Sequence, residues 1–143
     1  MARKGMVHAL REAHRVLRPN GLAIDLRPAA KHRRVGLGAG ARWKLIGVMR
    51  ESFDEDWAAN RAVARVLREG LFWPEALTEF PLDRVMDGIE DFRTWLTEFG
   101  QRRALASHAW LIRRLERARL KWRKNVRIVG RGPMTLLTLR RLE

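Results

Sequence analysis

A chain of 143 residues holds one compact domain around one hydrophobic core and is short for two. Its 46% hydrophobic content and mean hydropathy of -0.36 suit neither a disordered nor a membrane protein, and the lack of cysteine removes disulfides, thiolate nucleophiles and Cys-ligated zinc. The net charge of +14 points to an anionic partner, but 25 of the 30 basic residues are arginine, a bias that GC-rich coding produces without selection for phosphate.

The charge is also segregated: residues 1–50 carry +10, residues 51–98 carry -7 and residues 99–143 carry +11. A uniformly basic surface is excluded, and the two basic ends form one patch only if folding joins them. The start, MARKGMVHALREAHR, has no apolar signal region, so the cytoplasm is the expected location.

In chain order, residues 5–17 suit an amphipathic helix, with Met6, Leu10, Ala13 and Leu17 at helical spacing. Pro19 ends it, and Arg18-Pro19-Asn20-Gly21 makes a turn from a residue of fixed φ and two that tolerate positive φ. Leu22 to Leu26 then reads as a buried strand holding one acid. Arg33 to Met49, glycine-rich and then apolar, reads as a loop or irregular hairpin. A helix is expected from Asp54 to Glu69, its first turn acidic as the helix dipole favours, with Gly70 as its stop and Trp57, Ala64, Leu67 and Leu71 inward. Phe72 to Met86 alternates like an irregular strand. Asp87 and Glu90 form a capping box for a helix through about Phe99, with Ile89, Phe92, Trp95 and Leu96 inward. Another helix over roughly 104–123 carries Leu105, Ile112, Leu115 and Trp122 as its stripe. VRIV, a GRGP turn and the strand MTLLTLRRL close the chain.

Ala9 to Pro28, ALREAHRVLRPNGLAIDLRP, resembles the helix and strand around the RVL-basic-P-G-G turn of class I S-adenosylmethionine-dependent methyltransferases. Arg68 to Leu96 is similar to that family's penultimate unit, a helix leading into the sixth strand, and MTLLTLRRLE looks like its final antiparallel strand. Asn20 replaces the first glycine of the turn. The resemblance implies a single partial domain over 1–143: a Rossmann-like α/β sheet of about three strands in the order 22–26, 134–141, 75–81, the last strand in sequence central and antiparallel, with three to four helices. It implies methyl transfer from S-adenosylmethionine by a protein of which this chain is the C-terminal portion. In the family the glycine-rich cofactor loop, the ribose-binding acid and the side chains around the fourth strand all precede this segment, so no cofactor-binding residue is assigned here and the fragment is expected to be inactive on its own. The free side of Leu22 to Leu26 then pairs with an upstream methyltransferase half or with a second copy.

Gly36-Leu37-Gly38-Ala39-Gly40 copies a GxGxG loop superficially. Lys31-His32-Arg33-Arg34-Val35 before it is too polar for a central strand and RWKLIGVM after it is not a helix start, so it reads as a flexible turn. Asp25, Arg27 and His32 follow the strand at its carboxyl end, where open α/β sheets gather ligands, and the resemblance makes them candidates to face the methyl acceptor. The competing reading has Arg27-Pro28 ending the strand and Asp25 bonded locally. His8, His14, His32 and His108 lack metal-ligand spacing. Residues 102–124 hold nine basic residues against Glu116, which reads as a solvated face, and the six tryptophans read as core. Two further readings stand beside the methyltransferase: a small basic nucleic-acid-binding protein, and a non-catalytic interaction subunit that uses the strand edge. No membrane partner is expected.

Overall fold

The computed structural model describes residues 3–39, 41–102, 107–122 and 126–143. In chain order these form α1 (Arg3–Val16), β1 (Leu22–Pro28), β2 (Arg33–Ala39), β3 (Arg42–Met49), α2 (Asp54–Arg68), β4 (Phe72–Met86), α3 (Ile89–Arg102), α4 (Ala109–Lys121) and β5 (Arg127–Arg141). The fold is α/β with an antiparallel sheet. β5 pairs with β1, β2 and β4, and β3 pairs with β2. The three-strand order expected from sequence is present as β1, β5 and β4, enlarged by the β2–β3 hairpin. Where one core is expected, buried residues form two clusters, and the chain divides into two compact units: residues 1–30, 53–80 and 134–143, and residues 31–52 and 81–133.

In the first unit, α1 and α2 pack on one face of β1, the end of β5 and the start of β4. Val7 of α1, Ala62, Val63 and Val66 of α2, Phe72, Leu137 and Leu139 form its core, with Ala23 against them. The small Ala59 and Ala62 let α2 approach closely. They replace the expected Trp57 and Ala64 as its inner face, and Trp57 is exposed. The RPNG turn is as read: Asn20 has φ of 61° and the Gly21 amide bonds the Arg18 carbonyl at 2.8 Å. α2 ends in a Schellman arrangement, with Leu71 N–H on the Val66 carbonyl at 3.1 Å and Gly70 N–H on the Leu67 carbonyl at 3.0 Å. Gly70 takes a φ of 72°, which a side chain would oppose. Arg11 forks onto Glu69 at 3.1 and 2.6 Å, tying α1 to the end of α2.

β1 corrects the expectation of a buried strand. Its burial alternates: Ala23, Asp25 and Arg27 lie on the helix side, while Leu22, Ile24 and Leu26 are 44%, 66% and 55% exposed.

In the second unit, α3 and α4 cover one face of β2, β3 and the adjoining parts of β4 and β5. Phe92, Trp95 and Phe99 run along α3 with ring centroids 5.9 and 6.1 Å apart, and pack with Leu111, Leu115, Ile128, Leu37 and Met49. The amide of Asp87 bonds Asp91 at 3.2 Å, so Asp91, rather than the expected Glu90, serves the start of α3. Leu105, expected on the stripe of α4, lies outside the described residues, and Leu111 takes a core position beside Leu115.

The expected turn at Gly130-Arg131-Gly132-Pro133 is absent, because β5 runs unbroken through it. The glycines serve close packing: a Cβ on Gly130 would sit 2.7 Å from the Trp95 ring. Pro133 falls between the β2 pairing, which ends at Arg131, and the β1 pairing, which begins at Met134, so its missing N–H is not required by either ladder. As β5 advances from Arg131 to Thr138 its contacts on β4 step back from Asp83 to Ala76, which makes this pair antiparallel.

Candidate functional site

Of the three residues expected to face a methyl acceptor, Asp25 and Arg27 lie together in the first unit and His32 belongs to the second. In the first unit Arg27 Nε donates to Asp25 Oδ2 at 2.7 Å and Nη1 to Asn60 Oδ1 at 2.6 Å, so the Asp25 carboxylate is bonded locally on the helix side of β1. His32 belongs to the second unit, where its Nδ1 accepts the Glu51 amide at 3.2 Å.

The residues present do not fit S-adenosylmethionine through a glycine-rich loop. Gly36 and Gly38 are strand residues of β2, paired with both β3 and β5, so no helix start follows them and they are not the flexible turn expected from sequence; Gly40 lies outside the described residues. A Cβ on Gly36 would stand 2.3 Å from the Lys44 carbonyl oxygen and 2.7 Å from the Trp43 ring. Here glycine lets an indole lie across the sheet.

The first unit has an open face and an open edge. β1 is paired with β5 along one side, and among the described residues no strand pairs its other side. Arg140 is the register partner of Leu22, and its guanidinium forks onto Glu75 of β4 at 2.7 and 2.9 Å, so Glu75 shares the face of Leu22. Trp73 and Leu77, two residues either side of Glu75, extend that face and are exposed. Leu22, Ile24 and Leu26 thus form a row of exposed apolar side chains along an unpaired edge, a combination that marks interaction sites, while Trp73 and Leu77 lie on the same face beyond β5 and its Arg140–Glu75 ion pair.

The second unit carries the charge. It holds 19 basic and 7 acidic residues, a net of +12, against 11 and 9 in the first unit. Folding has joined parts of both basic ends, with Arg34 of β2 in register with Arg131 of β5. Six arginine guanidinia in this unit lie over aromatic rings, 4.5 to 6.0 Å from their centroids. Trp43 receives two of them, Arg131 at 4.5 Å and Arg34 at 5.7 Å. Asp83 forks with Arg131 at 2.7 and 2.9 Å, which holds its carboxyl below the usual range.

A cleft of about 490 Å3 opens in this unit between Leu45 to Val48 of β3 and the residues Arg50, His108, Trp110 and Arg114. Gly47 allows the closure of its floor: a Cβ there would come within 2.6 Å of Leu111 and 2.9 Å of the Trp110 ring. His108 is buried, and its Nε2 accepts the Arg50 amide at 3.2 Å, which requires that nitrogen to be unprotonated. Burial lowers its pKa below the ordinary value of 6.5. Below pH 6.5 the unfolded chain takes up a proton that the folded chain refuses, so stability falls as pH falls through 6.5 toward the folded value. Urea midpoints at about pH 7.5 and 5.5 check this: the drop should be smaller in His108→Gln. A pH dependence identical in the two proteins would rule it out.

Sequence reasoning missed this cleft because it treated the tryptophans as core. Trp110 is 37% exposed, and only its spacing of four from Arg114 on α4 signals the pair. Among the described residues no three His, Asp or Glu are grouped to hold a metal, and no helix is long and apolar enough to cross a membrane. No family model, curated protein or solved structure matches this chain.

Proposed function

We propose that the first unit is the C-terminal portion of a class I S-adenosylmethionine-dependent methyltransferase fold, with its Rossmann-like sheet completed across the open edge of β1 by a cofactor-holding lobe. The observation that carries this reading is the arrangement of three strands and two helices. β1 and β4 both lie antiparallel to β5 and therefore parallel to one another. The connection between them runs through the β2–β3 hairpin and then α2, and α2 packs with α1 on the same face. That is the order the resemblance implies for the family's last three strands, and it begins at the RVLRPNG turn that carries the resemblance. The apolar face of Leu22, Ile24 and Leu26 supports a docking role, since surface of that kind is costly to leave in water.

On this reading the chain's own contribution is structural and positional. The Asp25, Arg27 and Asn60 network stiffens the carboxyl end of β1, where open α/β sheets place ligands, and the lobe supplies the cofactor site.

Calorimetric titration with S-adenosylmethionine tests it. The 143-residue chain should show no binding, and binding should appear when it is co-expressed with a glycine-rich-loop lobe encoded upstream in frame or in an adjoining gene. Tight binding by the chain alone would overturn the assignment. So would a concentration-dependent dimer, abolished by Leu26→Lys, that no such lobe displaces, because the edge would then belong to a second copy.

A further inference from the structure

We propose that the second unit binds single-stranded nucleic acid, with the exposed part of Trp110 stacking a base in the cleft and Arg50 and Arg114 engaging the adjoining phosphates. The proposal rests on this unit and is independent of the reading given to the first.

Charge is the first support. Arginine itself is spread over both units, 10 in the first and 15 in the second, as coding bias would spread it; what distinguishes the second unit is how few acids accompany its basic residues. The residues lining the cleft include two arginines and no acid, and neither Arg50 nor Arg114 has an ion-pair partner among the described residues. Two unneutralised guanidinia beside an apolar floor suit a ligand that alternates anionic and flat aromatic groups.

Shape is the second support. The Trp110 ring rests against β3 at Gly47 and carries the Arg114 guanidinium 5.7 Å from its centroid, so the indole is held in place before a ligand arrives. A cleft of about 490 Å3 admits a splayed base with its sugar and phosphate and is too small for a duplex. His108 keeps the floor together as a neutral ring, leaving the charge at the rim to the arginines.

Fluorescence anisotropy on the full chain, with labelled 12-nucleotide single strands of RNA and DNA, the matched duplex, heparin and an acidic peptide, is the test. Single strands should bind more tightly than the duplex, with an affinity that falls as salt rises. Trp110→Ala should lose roughly tenfold to a hundredfold, and Trp110→Phe should recover most of that. Arg50→Gln and Arg114→Gln should each flatten the plot of log affinity against log salt by about 0.7. The phenylalanine and glutamine variants keep the test intact if the alanine variant fails to fold, as judged by circular dichroism. Absence of binding at low salt, equal affinity for heparin and for the oligonucleotides without dependence on Trp110, or binding of the acidic peptide alone would each overturn the proposal.

Discussion

Phe92→Ala should lower the stability of the second unit by about 3–5 kcal/mol, the range for removing a buried aromatic side chain and leaving a cavity. Phe92 has no exposed surface, sits beside Trp95 and lies in the cluster with Leu37, Leu111, Leu115 and Ile128. None of these is small enough to fall into the space without leaving its own contacts. Because the first unit has a separate core around Val66, Phe72 and Leu139, the damage should be local. Hydrogen exchange should show lost amide protection in β2, β3 and α3, with protection retained in α1, α2 and β1. A uniform loss across all of these would mean that the two cores melt as one cooperative body.

Gly36→Ala should also be destabilising, by about 1–3 kcal/mol, although it adds a single methyl group. The added carbon meets the Lys44 backbone oxygen at 2.3 Å, and a strand carbonyl cannot rotate away as a side chain can. The register of β2 against β3 already shifts between Val35 and Gly36, and β5 holds the other side of β2. Relief therefore requires β3 to move and Trp43 to lift, which would separate its ring from Arg34 and Arg131. The variant should show a lower urea midpoint together with a changed tryptophan emission. Gly88→Ala is the control, because the nearest atom there is the end of the Arg119 side chain at 3.9 Å. Equal behaviour of the two variants would refute the packing account of Gly36.

Much of the first unit was legible in the sequence because its signals are local. The apolar spacing of α1, the acidic start of α2, the proline turn at Asn20 and the strand character of MTLLTLRRL each depend on neighbours a few residues away. The second unit was harder to read for a definite reason. Glycine permits both a turn and a close approach of a large ring, and sequence cannot separate the two. Gly36 and Gly130 proved to be places where Trp43 and Trp95 lie against the backbone. The same ambiguity hid the course of β5, since Pro133 breaks a strand only where its amide is needed. Burial was misjudged wherever it depends on distant elements. Leu22, Ile24 and Leu26 are apolar enough for a core, yet both helices of their unit pack on the opposite face. The basic ends of the chain were visible as composition, but their union needed the pairing of β2 with β5.

The division of the chain into units has a consequence for ancestry and for engineering. The second unit is made of two inserts, 31–52 and 81–133, which interrupt the first unit at two points and leave its order of helix, strand, helix, strand and strand intact. Such a body can be acquired piecewise by lengthening two connections. It cannot be removed piecewise, because 31–52 brings Val35, Leu37, Ile46 and Met49 to a core whose other half lies in 81–133. Excising one insert alone would leave the remaining half of that core without its complement, so a minimal version of the first unit has to delete both.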